Sequence, residues 1–249
     1  MEAIALIALG AAAGLLIGCV GIGGVILVPA LVYLAGQSFQ TAIAAALCAF
    51  IVSGVVGAHA YAKAGSIRGR AMAWTWVGAL PAALAGALLL SRVTPIFLEL
   101  AIALLSAGSG LHALMTRRPD KPQSLRERLP TAPSLSVIGA TTGLLSALTG
   151  TGGPLVLLPI LMSLQAPVLA SLGLAQAIQL PIAAAATAGN LFTGVLDVQL
   201  GLTLAAGIAL GTWVGAKGAH RLPTELLRRA VAVLLVLVGS LMLVRFATT

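Results

Sequence analysis

The chain has 249 residues, of which 59% are hydrophobic and only 8% are charged, and its formal net charge is +8. A soluble domain carries about 25% charged residues, so this composition excludes a water-exposed globular surface and indicates a membrane protein. The excess of basic residues does not indicate nucleic-acid binding, because they lie in short loops rather than along one stripe.

Long apolar segments follow one another along the chain and predict an all-α polytopic membrane protein. They cover residues 3–20, 22–36, 40–62, 71–91 and 95–115, and after a polar linker residues 134–149, 153–166, 168–193, 200–220 and 224–246. A spanning helix needs about 20 residues, so the third, fourth and fifth segments of each set are long enough to cross. The first two segments of each set are shorter. They fit either two short crossings or a Gly-broken, re-entrant pair.

The two sets of segments are copies of each other. Residues 14–24 read GLLIGCVGIGG and residues 143–153 read GLLSALTGTGG, and six of the eleven aligned positions are identical. In the same register, Gly65 pairs with Gly194 and Arg92 with Arg221, so the repeat spacing is constant over much of the chain. Duplicated hydrophobic halves, each with an interrupted helix, are typical of secondary transporters whose substrate site lies between the halves.

The number of crossings predicts that the repeats are inverted. Each copy crosses three or five times, which is an odd number, so the second copy starts on the opposite side of the membrane. We expect a first transmembrane repeat over residues 1–115, a cytoplasmic linker over 116–133 and a second repeat over 134–249. With the linker and residues 63–70 and 217–229 inside, 12 of the 14 Lys and Arg residues lie on the cytoplasmic face, as the positive-inside rule requires. Both termini then face outside.

Each copy carries a cluster of glycines that predicts a broken helix. A glycine costs about 1 kcal/mol relative to alanine in a helix, so three within four positions favour unwinding. The following helices would start at Val25 and Pro154, with positive ends that attract an anion inside the membrane. Two such ends could hold one anionic substrate, although glycines that only allow close helix packing are an open alternative. The candidate residues of the breaks are Gly21, Gly23, Gly24, Thr149, Gly150, Thr151, Gly152 and Gly153.

Polar side chains inside the apolar segments are further candidates for substrate binding. Gln176, Gln179 and Asn190 lie on the eighth segment, and the last two are eleven residues apart, so they share a helix face. Buried amides in lipid need partners, which are either a neighbouring helix or a substrate. In the first copy, Ser53 and His59 are secondary candidates, and His59 is more easily explained as an interfacial residue near the end of its helix.

The positions of the acidic residues favour an anion over a cation. All six lie at termini, in loops or in helix first turns, so no carboxylate lies deep in a segment. The two cysteines, Cys19 and Cys48, lie in apolar runs and have no metal-ligand spacing. We therefore expect no metal, no cofactor and no catalytic residue. The sequence also lacks the motifs that an intramembrane enzyme would need.

The duplicated pattern resembles the sulfite exporter TauE/SafE family of membrane transporters, which are duplicated permeases of four to five segments per copy. The resemblance is carried by GLLIGCVGIGGVILVPALVYL and GLLSALTGTGGPLVLLPILMSL, by AKAGSIRG and FTGVLD, and by ALPAALAGALL and ALGTWVGAKGAHRLP. It covers nearly the whole chain and implies transport of a small sulfur-containing oxyanion or organosulfonate across the bacterial inner membrane.

The sequence leaves four functional hypotheses open. The first is a secondary transporter that works by alternating access, and the second is a passive anion channel. The third is a transporter of another small organic anion, such as a carboxylate. The fourth is a non-transporting packing or assembly subunit, which agrees with glycine-rich packing but leaves the inverted duplication unexplained. The expected partners are a small anionic substrate and the lipid bilayer, not nucleic acid, and self-association into a homo-oligomer is left open.

Overall fold

The computed structural model describes residues 3–20, 23–63, 69–115, 129–164, 166, 168–219 and 224–248, and every regular element in these ranges is an α-helix. The helices are α1 (Ala3–Val20), α2 (Gly24–Ala35), α3 (Phe39–Lys63), α4 (Gly69–Leu90), α5 (Pro95–Met115), α6 (Ala132–Thr149), α7 (Pro154–Ser163), α8 (Val168–Phe192), α9 (Val198–Ala219) and α10 (Thr224–Thr248). The expected all-helical fold is confirmed. Within the described ranges, α3, α4, α5, α6 and α9 are long and apolar enough to cross a membrane.

Helices α3 and α8 form the centre of the molecule and pack against each other. Residues 42–47 of α3 are all fully buried, so this part of the helix is covered on every side. On α8, residues 174–179 are likewise buried, with two glutamines among them. A helix that is apolar all round belongs in the core rather than at a lipid face.

The first helix of each half packs against the fourth helix of the other half, through glycines. Gly207 and Gly211 of α9 lie against the carbonyl oxygens of Ile7 and Ala11 of α1. In the same way, Gly139 and Gly143 of α6 lie against the carbonyl oxygens of Thr75 and Ala79 of α4. A side chain at these glycines would collide with backbone, so small residues allow the close approach that stabilises helix pairs in lipid.

These contacts also give the directions of the helices. Residue numbers rise together along both pairs, so α1 runs parallel to α9, and α4 runs parallel to α6. Helix α8 is parallel to α4 as well, because the indole Nε1 of Trp76 donates to the carbonyl oxygen of Ala177 at 3.1 Å while Ala87 lies beside Gly189. Helices α6 and α8 therefore run in the same direction, and the chain must return between them through α7.

The fifth helices of the two halves run in opposite directions. Gly110 of α5 lies against Ala232 of α10, whereas Ala103, seven residues earlier, lies against Gly239. Rising numbers on α5 therefore meet falling numbers on α10. Antiparallel packing of equivalent helices is the geometry that an inverted pair of repeats requires.

One end of the molecule is tied together by polar contacts between helix ends. Tyr33 Oη of α2 donates to Glu99 Oε1 of α5 at 2.5 Å, and the guanidinium of Arg245 of α10 lies 4.3 Å from the centroid of the Tyr33 ring. Gln40 Nε2 at the start of α3 donates to the carbonyl oxygen of Val93 at 3.3 Å. The end of α2, the start of α3 and the α4–α5 loop therefore lie on the same side.

Candidate functional site

Both Gly-rich breaks fold back along the preceding helix by the same amount. A Cβ on Gly23 would lie 2.6 Å from the carbonyl oxygen of Ala13, and a Cβ on Gly153 would lie 3.9 Å from Cγ2 of Thr142. Ala13 is seven residues before the end of α1, and Thr142 is seven residues before the end of α6. Seven residues of helix measure about 10 Å. Helices α2 and α7 thus begin beside the middle of α1 and α6, about 10 Å back from the ends of those helices. The expected interruption of each helix is present.

The two breaks differ in backbone conformation. Gly150, Gly152 and Gly153 have φ values of 67°, 77° and 114°, in the left-handed region that L-residues rarely adopt. Gly23, by contrast, has a φ of −117° and precedes α2 as its N-cap. Helix α2 begins at Gly24, one residue before the expected Val25, and α7 begins at Pro154 as expected. Gly21 lies outside the described residues.

The amides at the two helix starts are arranged alike. Ile26 and Leu27 donate to the carbonyl oxygen of Gly23 at 3.2 and 3.1 Å, and Val156 and Leu157 donate to that of Gly153 at 3.1 and 3.0 Å. The amides that precede these bonds have no intrahelical acceptor. Because Pro154 has no N–H, the start of α7 offers the amide of Leu155, whereas the start of α2 offers those of Gly24 and Val25. Each start also carries the positive end of a helix dipole, and free amides together with this dipole attract anions.

The two breaks touch each other. A Cβ on Gly24 would fall on the carbonyl oxygen of Gly150 and would lie 3.0 Å from Cα of Thr151. Gly24 is thus a glycine because the backbone of the second break occupies the space where a side chain would be. The breaks meet as a shared site requires, but the ring of Phe50 lies beside them, so no open cradle separates the helix ends.

A buried hydrogen-bond chain links α8 to α3 at the second break. Gln179 Nε2 donates to Ser53 Oγ at 2.8 Å, and Ser53 Oγ donates to the carbonyl oxygen of Phe50 at 3.1 Å. A Cβ on Gly152 would lie 3.4 Å from Gln179 Nε2, so this amide reaches the unwound backbone. Gln179 is only 2% exposed. Its Oε1 atom has no hydrogen-bond partner among the described residues.

The hydroxyl groups beside the second break differ in their freedom to bind a substrate. Thr149 Oγ1 donates to the carbonyl oxygen of Leu145 at 2.7 Å, so its single proton is used within α6. Thr151 Oγ1 has two acceptors for its proton, Thr149 Oγ1 at 3.1 Å and Ser146 Oγ at 3.4 Å. Thr142 Oγ1 is buried and has no partner in the described part of the chain. Thr151 and Thr142 are the hydroxyls that can turn toward a ligand without breaking a helix bond.

None of the described hydrogen bonds joins the side chains of the remaining candidates to this cluster. Gln176 is buried one turn before Gln179, and none of the described hydrogen bonds joins it to the breaks. Asn190 lies eleven residues beyond Gln179, about 16 Å along α8. Both polar atoms of its side chain are buried and lack partners among the described residues. Gln179 and Asn190 therefore lie on the same face of α8 but at different positions along its axis. His59 is exposed near the end of α3, as expected of an interfacial residue.

The electrostatic character of the site is neutral and hydrogen-bonding. Among the described residues, the buried polar side chains are all Ser, Thr, Gln or Asn, and none carries a charge. The described part of the chain contains no group of His, Cys, Asp and Glu residues that could hold a metal ion. Anion binding here would rest on N–H and O–H donors rather than on a fixed positive side chain.

Phe50 and Thr142 belong to the site although neither was predicted from the sequence. The register that pairs Gly21 with Gly150 also pairs Phe50 with Gln179. It likewise pairs Thr142 with Ala13, the contact of the first break. The duplication could have identified both residues, but only if each had been compared with its counterpart in the other repeat.

Comparison with known proteins agrees with this architecture. The model of the family described as "Sulfite exporter TauE/SafE" matches residues 6–242. The chain is 25% identical over 240 residues to "Probable membrane transporter protein YdhB" of Bacillus subtilis (strain 168), covering 92% of this chain and 96% of that protein. No solved structure matches the chain. The protein is therefore a polytopic membrane protein that belongs to the sulfite exporter TauE/SafE family of membrane transporters.

Proposed function

We propose that this protein is a secondary transporter that moves a small anion across the bacterial inner membrane by alternating access between two inverted repeats. The anion is a sulfur-containing oxyanion or an organosulfonate. The observation that carries the proposal is the contact between the two breaks, where Gly24 lies against Gly150 and the buried Gln179 amide reaches Gly152. Interrupted helices whose ends meet between repeats are the arrangement in which such transporters bind their substrates.

The directions of the helices support the inverted arrangement. Parallel packing of α4 with α6 and of α1 with α9, together with antiparallel packing of α5 with α10, follows if one repeat is turned over relative to the other. Exchange of the two repeats then converts an outward-facing form into an inward-facing one, because each half can adopt the conformation of its counterpart. The substrate would stay near the breaks while the helix pairs rock around it.

The chemistry of the site supports a small oxyanion. The free amides of Gly24 and Val25 in α2 and of Leu155 in α7 can contact an oxyanion together with the side chains of the second break. These side chains are the hydroxyls of Thr142 and Thr151 and the carboxamide of Gln179. If the Gln179 carboxamide turned over, the Ser53 hydroxyl could donate to Oε1, and the NH₂ group would then face the ligand. The family description, sulfite exporter, favours sulfite among the oxyanions.

Flux into proteoliposomes tests the proposal. Purified protein would be reconstituted and offered radiolabelled sulfite, thiosulfate, taurine and acetate in separate arms. Saturable uptake of a sulfur oxyanion or sulfonate, accelerated by the same anion on the opposite side, is the expected result. Uptake of acetate alone would assign the protein to carboxylates, and uptake of none of the four compounds would contradict the proposal.

A passive anion channel is the second candidate, because the described core contains no charged side chain that could carry a coupled proton. In a channel, flux would follow the gradient without saturation at low concentration and without acceleration by anion on the opposite side. Repeating the sulfite measurement with and without an imposed proton gradient separates these cases.

A further inference from the structure

The ring of Phe50 lies beside the two breaks where they meet, in contact with both. A Cβ on Gly24 would lie 2.9 Å from Phe50 Cε2, and a Cβ on Gly152 would lie 3.1 Å from Phe50 Cδ2. The ring is 1% exposed and is one of the largest fully buried side chains in the described part of the chain. Cε2 and Cδ2 are adjacent atoms, so one edge of the ring packs into a slot that the glycine backbones of both breaks line.

The slot matters because of what occupies the equivalent position in the second repeat. Phe50 on α3 corresponds to Gln179 on α8 at the repeat spacing, and both side chains lie against Gly152. One repeat therefore contributes a polar side chain to the site, and the other contributes an apolar ring that fills it. Because the surrounding contacts are tight, a ring that leaves this slot opens a gap beside the breaks.

We propose that Phe50 is the occluding residue of the transport pathway, a ring that closes the passage beside the two breaks and must move for a small oxyanion to pass. This inference rests on the proposed transport function. Ser53 lies one turn further along α3, bonded to the Phe50 carbonyl oxygen and to Gln179. A substrate that turns the Gln179 carboxamide would therefore disturb the turn that carries the ring, which couples binding to opening.

The test compares Phe50→Ala with Ile102→Ala in proteoliposomes. Ile102 of α5 is also fully buried, but none of the described contacts joins it to the breaks, so its truncation controls for a loss of core volume. We expect Phe50→Ala to lose the acceleration of sulfite flux by sulfite on the opposite side and to leak chloride. We expect Ile102→Ala to keep the acceleration and to stay closed to chloride. Equal chloride leak and equal acceleration in the two variants would overturn the proposal.

A second variant keeps the test decisive if Phe50→Ala does not fold. Phe50→Leu preserves most of the apolar volume, and it should leak chloride more than the wild type while remaining folded. A sealed Phe50→Leu protein with normal acceleration would also overturn the proposal. If the wild type carries none of the offered anions, the proposed transport function is wrong. The chloride leak of Phe50→Leu, compared with that of Ile102→Ala, still tests whether the ring closes a passage.

Discussion

Phe50 of α3 and Gln179 of α8, which occupy equivalent positions in the two repeats, lie against the same glycine, Gly152. The repeats are thus related in sequence register and in the order of their helices, but not in the chemistry that they bring to the centre. A polar side chain and an aromatic ring lie beside the same unwound glycine. On the proposed transport function, recognition would be concentrated in the second repeat, where the carboxamide and the hydroxyls lie, and closure would be concentrated in the first.

The carboxamide of Gln179 should determine substrate affinity. Gln179→Leu removes a buried donor while preserving the approximate volume of the side chain, so the protein should still fold. A hydrogen bond to a charged group is worth about 1.5–3 kcal/mol. Loss of this amount weakens apparent affinity by about one to two orders of magnitude, measured as the sulfite concentration at half-maximal flux.

The control for this variant is Gln199→Leu, which makes the same chemical change at an exposed position of α9. Its half-maximal concentration should equal that of the wild type. Equal affinity in the Gln179 and Gln199 variants would show that the buried carboxamide only joins helices.

The second break should not tolerate a side chain at Gly153. Gly153→Leu places a branched chain where a Cβ would already lie 3.0 Å from Cγ2 of Ile178 and 3.2 Å from Cδ1 of Ile182. Sulfite flux should be abolished while the protein still inserts into the membrane, which fractionation and immunoblotting would show.

Gly194→Leu is the control for the backbone strain that a leucine introduces at Gly153. Gly194 also has a positive φ, 72°, but a Cβ there would have no atom within 4 Å, so the substitution adds strain without a collision. Its flux should stay close to that of the wild type. Normal flux in Gly153→Leu would exclude a site built on the start of α7.

The positions of the helices could be predicted from the sequence because their signals are local. Apolar runs and the Gly and Pro residues at their ends located each helix within about three residues of its observed bounds. The unwinding at Gly150, Gly152 and Gly153 was likewise predictable, since it depends on the intrinsic cost of glycine in a helix. Equivalent clusters in the two halves located both breaks.

The composition of the site was only partly predictable, because contacts between distant residues are not visible in a local pattern. The helical period placed Gln179 and Asn190 on one face, but it gave no information about their depth, which differs by about 16 Å. Thr149 was predicted as a candidate residue of the second break, but no pattern in the sequence indicated that its hydroxyl donates to the carbonyl oxygen of Leu145 in its own helix. Phe50 carried no local signal because a buried phenylalanine is ordinary in an apolar helix.

Glycines in the helix interfaces should respond to substitution according to the backbone that faces them. In Gly78→Ala the new Cβ would fall on the carbonyl oxygen of Ser136, so α4 and α6 must separate. Overpacking of this kind costs about 1–3 kcal/mol. The midpoint of thermal unfolding in detergent should therefore fall.

Gly108→Ala is the matched control, because Gly108 of α5 has open space around a Cβ. Alanine is the better helix former by about 0.5–1 kcal/mol, so the midpoint of this variant should stay the same or rise. If the unfolding midpoint fell by the same amount in both variants, close backbone contact would not be the reason for the glycines between α4 and α6.

The orientation in the membrane should place Ser38 and Ser91 outside and Ser124 inside. Gln40 and Val93 are hydrogen-bonded to each other, so the loops that carry Ser38 and Ser91 lie at the same end of the molecule. The linker that contains Ser124 is rich in Arg and Lys, which favours the cytoplasm. Single cysteines at these positions, in a chain with Cys19 and Cys48 replaced by alanine, would report the side through a membrane-impermeant maleimide.

In intact cells we expect labelling of Ser38→Cys and Ser91→Cys, and labelling of Ser124→Cys only after permeabilisation. The reverse pattern would mean that the charge rule assigns the wrong side while the fold stands. Labelling of Ser38→Cys and Ser91→Cys from opposite sides would contradict the fold itself, because the bond between Gln40 and Val93 could not then form. This outcome would also remove the inverted arrangement, since that arrangement requires α3 to start and α4 to end on one side.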